Sequence, residues 1–218
     1  MQIAEVRTSL GRIPWVTLTL LGALMAGAFL TEPVKEALSL GGGVRSEGQW
    51  WQALSCHTVH FGWGHFWRDG PTLALLGWLL ESKSRPTLVV VLGIAAWVVP
   101  AAVLLAEPEA LPYRGASGLV VATFAWLAAN AVMRRDAAWF ARLAGLVALV
   151  VLAAKIWLEW TEGRLMDGGQ AGAVIVSWSA HLAGALVGLF AALFEAGAVE
   201  MHDRSLSKKN KRVSPLTD

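Results

Sequence analysis

Six stretches of this chain are too apolar for water and long enough to cross a lipid bilayer. They run from about Ile13 to Leu30, from near His65 to Leu80, and from Thr87 to Ala106. The others are Gly115 to Met133, Trp139 to Trp160 and Ala171 to Phe194. A bilayer core takes roughly 20 apolar residues per helix. Lipid offers no partners to backbone N–H and C=O groups, so such stretches must close their hydrogen bonds internally as helices. Only 16% of the 218 residues are charged, against about 25% in soluble proteins. The fold class is therefore all-α: a polytopic membrane protein with one six-helix bundle over residues 1–200. Residues 201–218 read as a charged, disordered cytoplasmic tail.

Loop charges set the orientation, because lysine and arginine are retained on the cytoplasmic side. Arg7, Arg12, Lys83, Arg85, Arg134, Arg135 and Arg142 fall on one side, with the five basic residues of the tail. Lys35, Arg45, Arg68, Arg114, Lys155 and Arg164 fall on the other. Both termini are then cytoplasmic. Residues 1–28 also imitate a secretory signal, with two arginines, an apolar run and Ala26-Gly27-Ala28. The outer side holds the glycine-rich break at Gly41-Gly42-Gly43, with Trp50 and Trp51 at headgroup level. Thr161 to Gly172, containing Gly163, Gly168 and Gly169, reads as a gate.

Several motifs remain unexplained by spanning alone. Gly115-Ala116-Ser117-Gly118 stands where an outer loop, Glu107 to Arg114, enters the fourth stretch. Small residues in membrane helices permit close packing, so Ser117 is either a packing residue or a nucleophile. His181 lies in the sixth stretch, with Gly184 and Gly188 four apart behind it. An ionisable group at that depth is a candidate functional residue; its bland reading is a histidine bonded to a backbone carbonyl. A serine and a histidine on helices that can approach closely are the minimum for nucleophilic catalysis. The second stretch carries His65 and Asp69 on one helix face. His57, His60 and His65 form a histidine cluster without cysteine partners or a HExxH motif, which argues against zinc. No metal or cofactor is expected. The net charge of +2 and the lack of a basic aromatic patch exclude nucleic acid.

Together these motifs resemble the rhomboid intramembrane serine proteases over about residues 50 to 195. The resemblance rests on His65-x-x-x-Asp69, Gly115-x-Ser117-Gly118 and His181-x-x-Gly184-x-x-x-Gly188. It implies a six-helix rhomboid-like bundle in which Ser117 is the nucleophile and His181 the base, a dyad without a third carboxylate. His65 and Asp69 would help stabilise the oxyanion, and Gly115, Gly118, Gly184 and Gly188 would allow the close approach. Members of the family commonly carry asparagine where Asp69 stands. If neutral, Asp69 could donate a hydrogen bond to the oxyanion; the alternative is that it pairs with neighbours and fixes the helix. Many members also carry Trp-Arg where this chain has Trp51-Gln52.

Tyr113-Arg114 before the serine motif, the compact six-span form and the acid at 69 are similar to the rhombosortase branch, which is associated with C-terminal sorting tails of exported bacterial proteins. The partners implied are membrane-protein substrates and the lipid bilayer. The implied location is the bacterial inner membrane, with the active site toward the periplasm. Two other readings compete: a catalytically silent relative that binds membrane clients, and a transporter with His65 and Asp69 in a proton path.

Overall fold

The computed structural model describes residues 13–41, 43–108, 111–134, 136–163, 165–167 and 173–213. Arg7, Arg12, Gly42, Arg135, Arg164, Gly168 and Gly169 lie outside these residues, and so does half of the gate read between Thr161 and Gly172. The described chain is helical apart from one small hairpin. Its helices are α1 (Trp15–Ala28), α2 (Glu32–Leu38), α3 (Gly43–Ser46) and α4 (Gln52–Ser55). The long helices α5 (Trp63–Lys83), α6 (Arg85–Ala106), α7 (Ser117–Met133) and α8 (Trp139–Glu162) follow. Strands β1 (Leu165–Asp167) and β2 (Ala173–Ile175) then pair antiparallel, and α9 (Trp178–Val213) closes the fold.

Three of these helices, α6, α8 and Trp178–Met201 of α9, are long and apolar enough to cross a bilayer, and α1 and α7 are shorter apolar helices. Val89, Val90 and Ile94 of α6 and Leu146, Val147, Val150 and Val151 of α8 are exposed. Rows of large apolar side chains facing outward suit lipid rather than water.

Local chemistry explains the boundaries. Between α5 and α6 the chain turns on the single residue Ser84, whose side chain accepts from Thr87 N–H at 3.3 Å, with proline in the first turn of α6. Helix α8 stops at Gly163, which adopts φ 57° and ψ 58°. That left-handed conformation is cheap only for glycine. Helix α5 continues through Pro71 rather than ending there.

Two expectations change. The last helix begins at Trp178, not near Ala171, and Ala173–Ile175 form a strand instead. Val174, Ile175 and Val176 are consecutive β-branched residues, which favour an extended chain. The segment expected to be disordered is helical as far as Val213. No glycine or proline interrupts residues 198–213, and Pro215 disfavours helix at the residue before it.

The packing places α7 at the centre, against α5, α6, α8 and most extensively α9. Backbone meets backbone along the last of these contacts. A Cβ at Gly184 would lie 2.2 Å from the Gly118 carbonyl oxygen, and one at Gly188 would lie 2.2 Å from that of Ala122. Gly145 of α8 approaches the Ala128 carbonyl in the same way, with a Cβ distance of 2.6 Å.

Helix α1 is tied to α5 by Glu81, a buried carboxylate. Its Oε2 accepts from the N–H and hydroxyl of Thr17 at 2.9 and 2.8 Å. Its Oε1 accepts from Val16 N–H at 3.2 Å and pairs with Arg85 at 2.8 Å. Lys83, Arg134, Glu195 and Glu200 line a cavity of about 650 Å³ at this end of the bundle. Of the basic residues assigned to one side by sequence, Lys83, Arg85, Arg134 and Arg142 share this end of the fold.

Candidate active site

The opposite end holds His65, Asp69, Gly115, Ser117, Gly118 and His181, with Gly184 and Gly188 one and two turns further along α9. Ser117 is the first residue of α7, preceded by Ala116 as its cap. The N–H groups of a first turn have no partner within the helix. They and the helix dipole favour negative charge beside Ser117.

The loop leading into Ser117 is fixed on several sides. Gly115 has φ +120°, and a Cβ there would sit 2.7 Å from the His65 ring. Its N–H donates to the Cys56 carbonyl at 2.9 Å. Tyr113 forms an antiparallel bridge with Leu40, and its hydroxyl donates to the Gly115 carbonyl at 3.4 Å. Burial pushes the Tyr113 phenol up, so it stays a neutral hydroxyl. Arg114 is buried; it donates to Ser39 Oγ at 2.5 Å, pairs with Glu32 and lies 5.0 Å over the Phe61 ring. Phe61 in turn stacks on His65 at 5.9 Å. His57 Nε2 lies 3.2 Å from the Ala96 carbonyl and its Nδ1 lies 3.4 Å from that of Gly115. Burial lowers the His57 pKa and keeps the ring neutral, so only one of these carbonyls can receive a proton at a time.

His65 and Asp69 come together with this loop, as their spacing on one helix face predicts. Asp69 Oδ2 accepts from Ala116 N–H at 3.0 Å and lies 3.3 Å from His65 Nε2 and 3.4 Å from His60 Nε2. Among the described residues the hydrogen bond this oxygen makes, from Ala116 N–H, is one it accepts. Of the two roles open to Asp69, this geometry favours fixing the serine loop and the His65 ring over donating a proton. His65 Nδ1 and both ring nitrogens of His60 are buried without a hydrogen-bond partner among the described residues. No group of three or more metal-ligating side chains occurs among those residues.

His181 stands in the first turn of α9, one turn before Gly184. That turn is capped from two sources. Ser177 Oγ accepts from Ala180 N–H at 3.2 Å, and Glu107 Oε2 accepts from Ser177 Oγ at 2.6 Å and from Ser179 N–H at 2.8 Å. Glu107 therefore holds the start of α9 from the loop before Ser117. Glu107→Ala leaves the Ser179 N–H buried and unpaired. It should lower stability by about 1–3 kcal/mol in reversible detergent unfolding. An unchanged unfolding midpoint would show that the cap contributes nothing.

The glycine contacts bring the first turns of α7 and α9, the turns that carry Ser117 and His181, side by side. One neighbour of His181 was not singled out in the sequence. Glu159 of α8 places Oε2 2.6 Å from His181 Nδ1. Lys155 reaches the same pair, 2.5 Å from Glu159 Oε1 and 2.9 Å from His181 Nδ1. The signal was available: a glutamate inside an apolar span, four residues after a lysine.

The arrangement can supply a nucleophile, a base and free N–H groups at one helix start. Residues 47–197 match the family model of the Rhomboid domain. No curated protein matches the sequence.

Proposed function

Because the chain belongs to the rhomboid family of intramembrane serine proteases, we propose that it is an active member using Ser117 as nucleophile and His181 as general base. The observation that carries this reading is the glycine contact of α7 with α9, which sets the first turns bearing the two residues together. In the proposed reaction, Ser117 Oγ bonds to the scissile carbonyl carbon as its proton passes to His181 Nε2. The oxyanion is stabilised by the Ser117 backbone N–H and by His65, positioned by Asp69 and Phe61. Collapse breaks the C–N bond, and His181 returns the proton to the leaving amine. Water then repeats the attack on the acyl-enzyme, which releases the acid and restores Ser117.

Helices α1, α5, α6, α7, α8 and α9 are assigned as six spans, with both termini cytoplasmic and Ser117 toward the periplasmic side of a bacterial inner membrane. The site then opens to the side from which water can arrive. The substrates are membrane-anchored proteins cut in or near a transmembrane segment. Tyr113-Arg114 and Asp69 favour C-terminal sorting tails of exported proteins within that class. Comparing membrane proteomes of cells carrying wild type and Ser117→Ala tests this. Exported proteins should keep their C-terminal tails in the variant. Identical tails in the two strains would reject a processing role.

The role assigned to Asp69 has its own test. Asp69→Asn keeps an oxygen able to accept from Ala116 N–H and should retain most of the cleavage rate. Asp69→Ala frees the serine loop and should lose about 10²–10³ in kcat, the scale of a lost oxyanion contact. Equal rates for alanine and wild type would remove Asp69 from the site.

A further inference from the structure

We propose that Glu159 completes the catalytic group, as the positioning residue for His181, in a Ser117–His181–Glu159 relay spread over three helices. The proposal rests on the protease reading above and replaces its two-residue dyad.

The contact distance settles which nitrogen carries the proton. A carboxylate oxygen 2.6 Å from a ring nitrogen bearing a lone pair would face two unshared pairs at hydrogen-bond distance. The contact is stable only with a proton between, so His181 carries N–H at Nδ1 and donates it to Glu159 Oε2. The lone pair is then left on Nε2, the nitrogen that must take the serine proton. Lys155 Nζ, 2.9 Å from the same Nδ1, cannot donate to a nitrogen that already carries hydrogen; its partner is Glu159 Oε1 at 2.5 Å. Lysine thus clamps one carboxylate oxygen while histidine occupies the other.

Burial makes the arrangement consequential. The Glu159 side chain is 3% exposed and that of His181 is 6% exposed, whereas Lys155 reaches inward from a side chain 43% exposed. A buried carboxylate is sustained only by partners that balance its charge. Lys155 and Glu159 cancel one another at rest beside a neutral imidazole. When Nε2 takes the serine proton, the new imidazolium is balanced by the oxyanion, and Glu159 lies against its Nδ1–H. Glu159 accepts no proton at any step. It holds the ring in one tautomer and one orientation.

The backbone supports this placement. Glu159 is in the last turn of α8, and its carbonyl accepts from the N–H of Gly163, the left-handed residue that ends the helix. His181 is held from the other side by the Glu107 and Ser177 caps at the start of α9. Two fixed helix ends therefore meet at the Glu159–His181 hydrogen bond.

Two measurements on the full chain in liposomes test the proposal. The first is the ¹⁵N spectrum of the His181 ring, identified by its loss in His181→Gln. The ring should be protonated at Nδ1 in wild type and shift toward the Nε2–H tautomer in Glu159→Gln. An Nε2–H ring in wild type overturns the proposal, whether or not any variant folds. The second is cleavage kinetics. Glu159→Gln should lose about 10²–10⁴ in kcat with KM changed less than about threefold, as when the third residue of a soluble triad is neutralised. Glu159→Asp should recover part of the loss. A wild type that cleaves and reacts with a fluorophosphonate probe at Ser117, with Glu159→Gln within about threefold of it in kcat, overturns the relay and leaves the dyad. A folded wild type that neither cleaves nor labels at Ser117 overturns the protease reading and the relay with it, even if its ring is protonated at Nδ1.

Discussion

Ser117→Ala and His181→Ala should each abolish cleavage while leaving the protein folded, with losses on the order of 10⁶ in kcat. The two residues act in one proton transfer: without His181 the serine hydroxyl keeps its proton, and without Ser117 the histidine has nothing to activate. The losses should therefore not add, and the double variant should be no slower than the worse single variant. Rates should be compared in proteoliposomes against a single-span substrate, with unfolding midpoints as a control. Turnover near the wild-type rate by either single variant would remove that residue from the reaction. Multiplied losses in the double variant would assign the residues to independent steps.

Gly184→Val should cost both stability and rate, although Gly184 touches no reacting atom. A Cβ at this position falls 2.2 Å from the Gly118 carbonyl oxygen and 3.3 Å from Ala122 N. Both are backbone atoms of α7 and cannot rotate away as a side chain would. Helix α9 must retreat or tilt, and His181 moves with it. Overpacking of this kind costs about 1–3 kcal/mol in stability. A displacement of about 1 Å at a reacting pair can cost about 10² in rate. Gly184→Ala should show both effects in reduced form. Gly197, near which a Cβ would meet nothing within 4 Å, supplies the control. Its alanine variant should match wild type in stability and rate. Equal behaviour of Gly184→Val and wild type would mean that the close approach does not position the site.

The fold was legible because its strongest signal is physical and local. Apolar runs mark helices wherever lipid is the solvent, and each of the six expected stretches contains a helix of the structure, three of them long and apolar enough to cross a bilayer. The boundary near Ala171 was missed because an apolar run cannot separate helix from strand over a few residues. Three β-branched residues and the caps at Ser177 and Glu107 decide it. The reach of α9 beyond Met201 was missed for the opposite reason: charge suggested solvation, while the absence of glycine and proline lets the preceding helix extend.

At the site, His65, Asp69, Gly115, Ser117, Gly118, His181, Gly184 and Gly188 were visible as polar or small residues where lipid would favour neither large polar side chains nor open backbone. The structure places them at one end of the bundle, with Gly184 and Gly188 running inward from it along α9. The carboxylates Glu81, Glu107 and Glu159 were not visible as partners, because each acts across helices distant in sequence. Glu81 caps α1 from α5, Glu107 caps α9 from a loop 70 residues earlier, and Glu159 faces His181 from α8. Sequence can mark such a residue as costly, but only the packing says what it serves.

Mapping the adduct of a fluorophosphonate probe tests the serine and histidine assignment most directly. The probe captures a serine hydroxyl by forming a phosphorus–oxygen bond and expelling fluoride, and it requires the base that takes the serine proton. Digestion and mass spectrometry of labelled proteoliposomes should find one adduct, on Ser117, and none at the same exposure time in His181→Ala. An adduct on Ser177 or Ser179 instead, or equal labelling of Ser117 with and without His181, would contradict it.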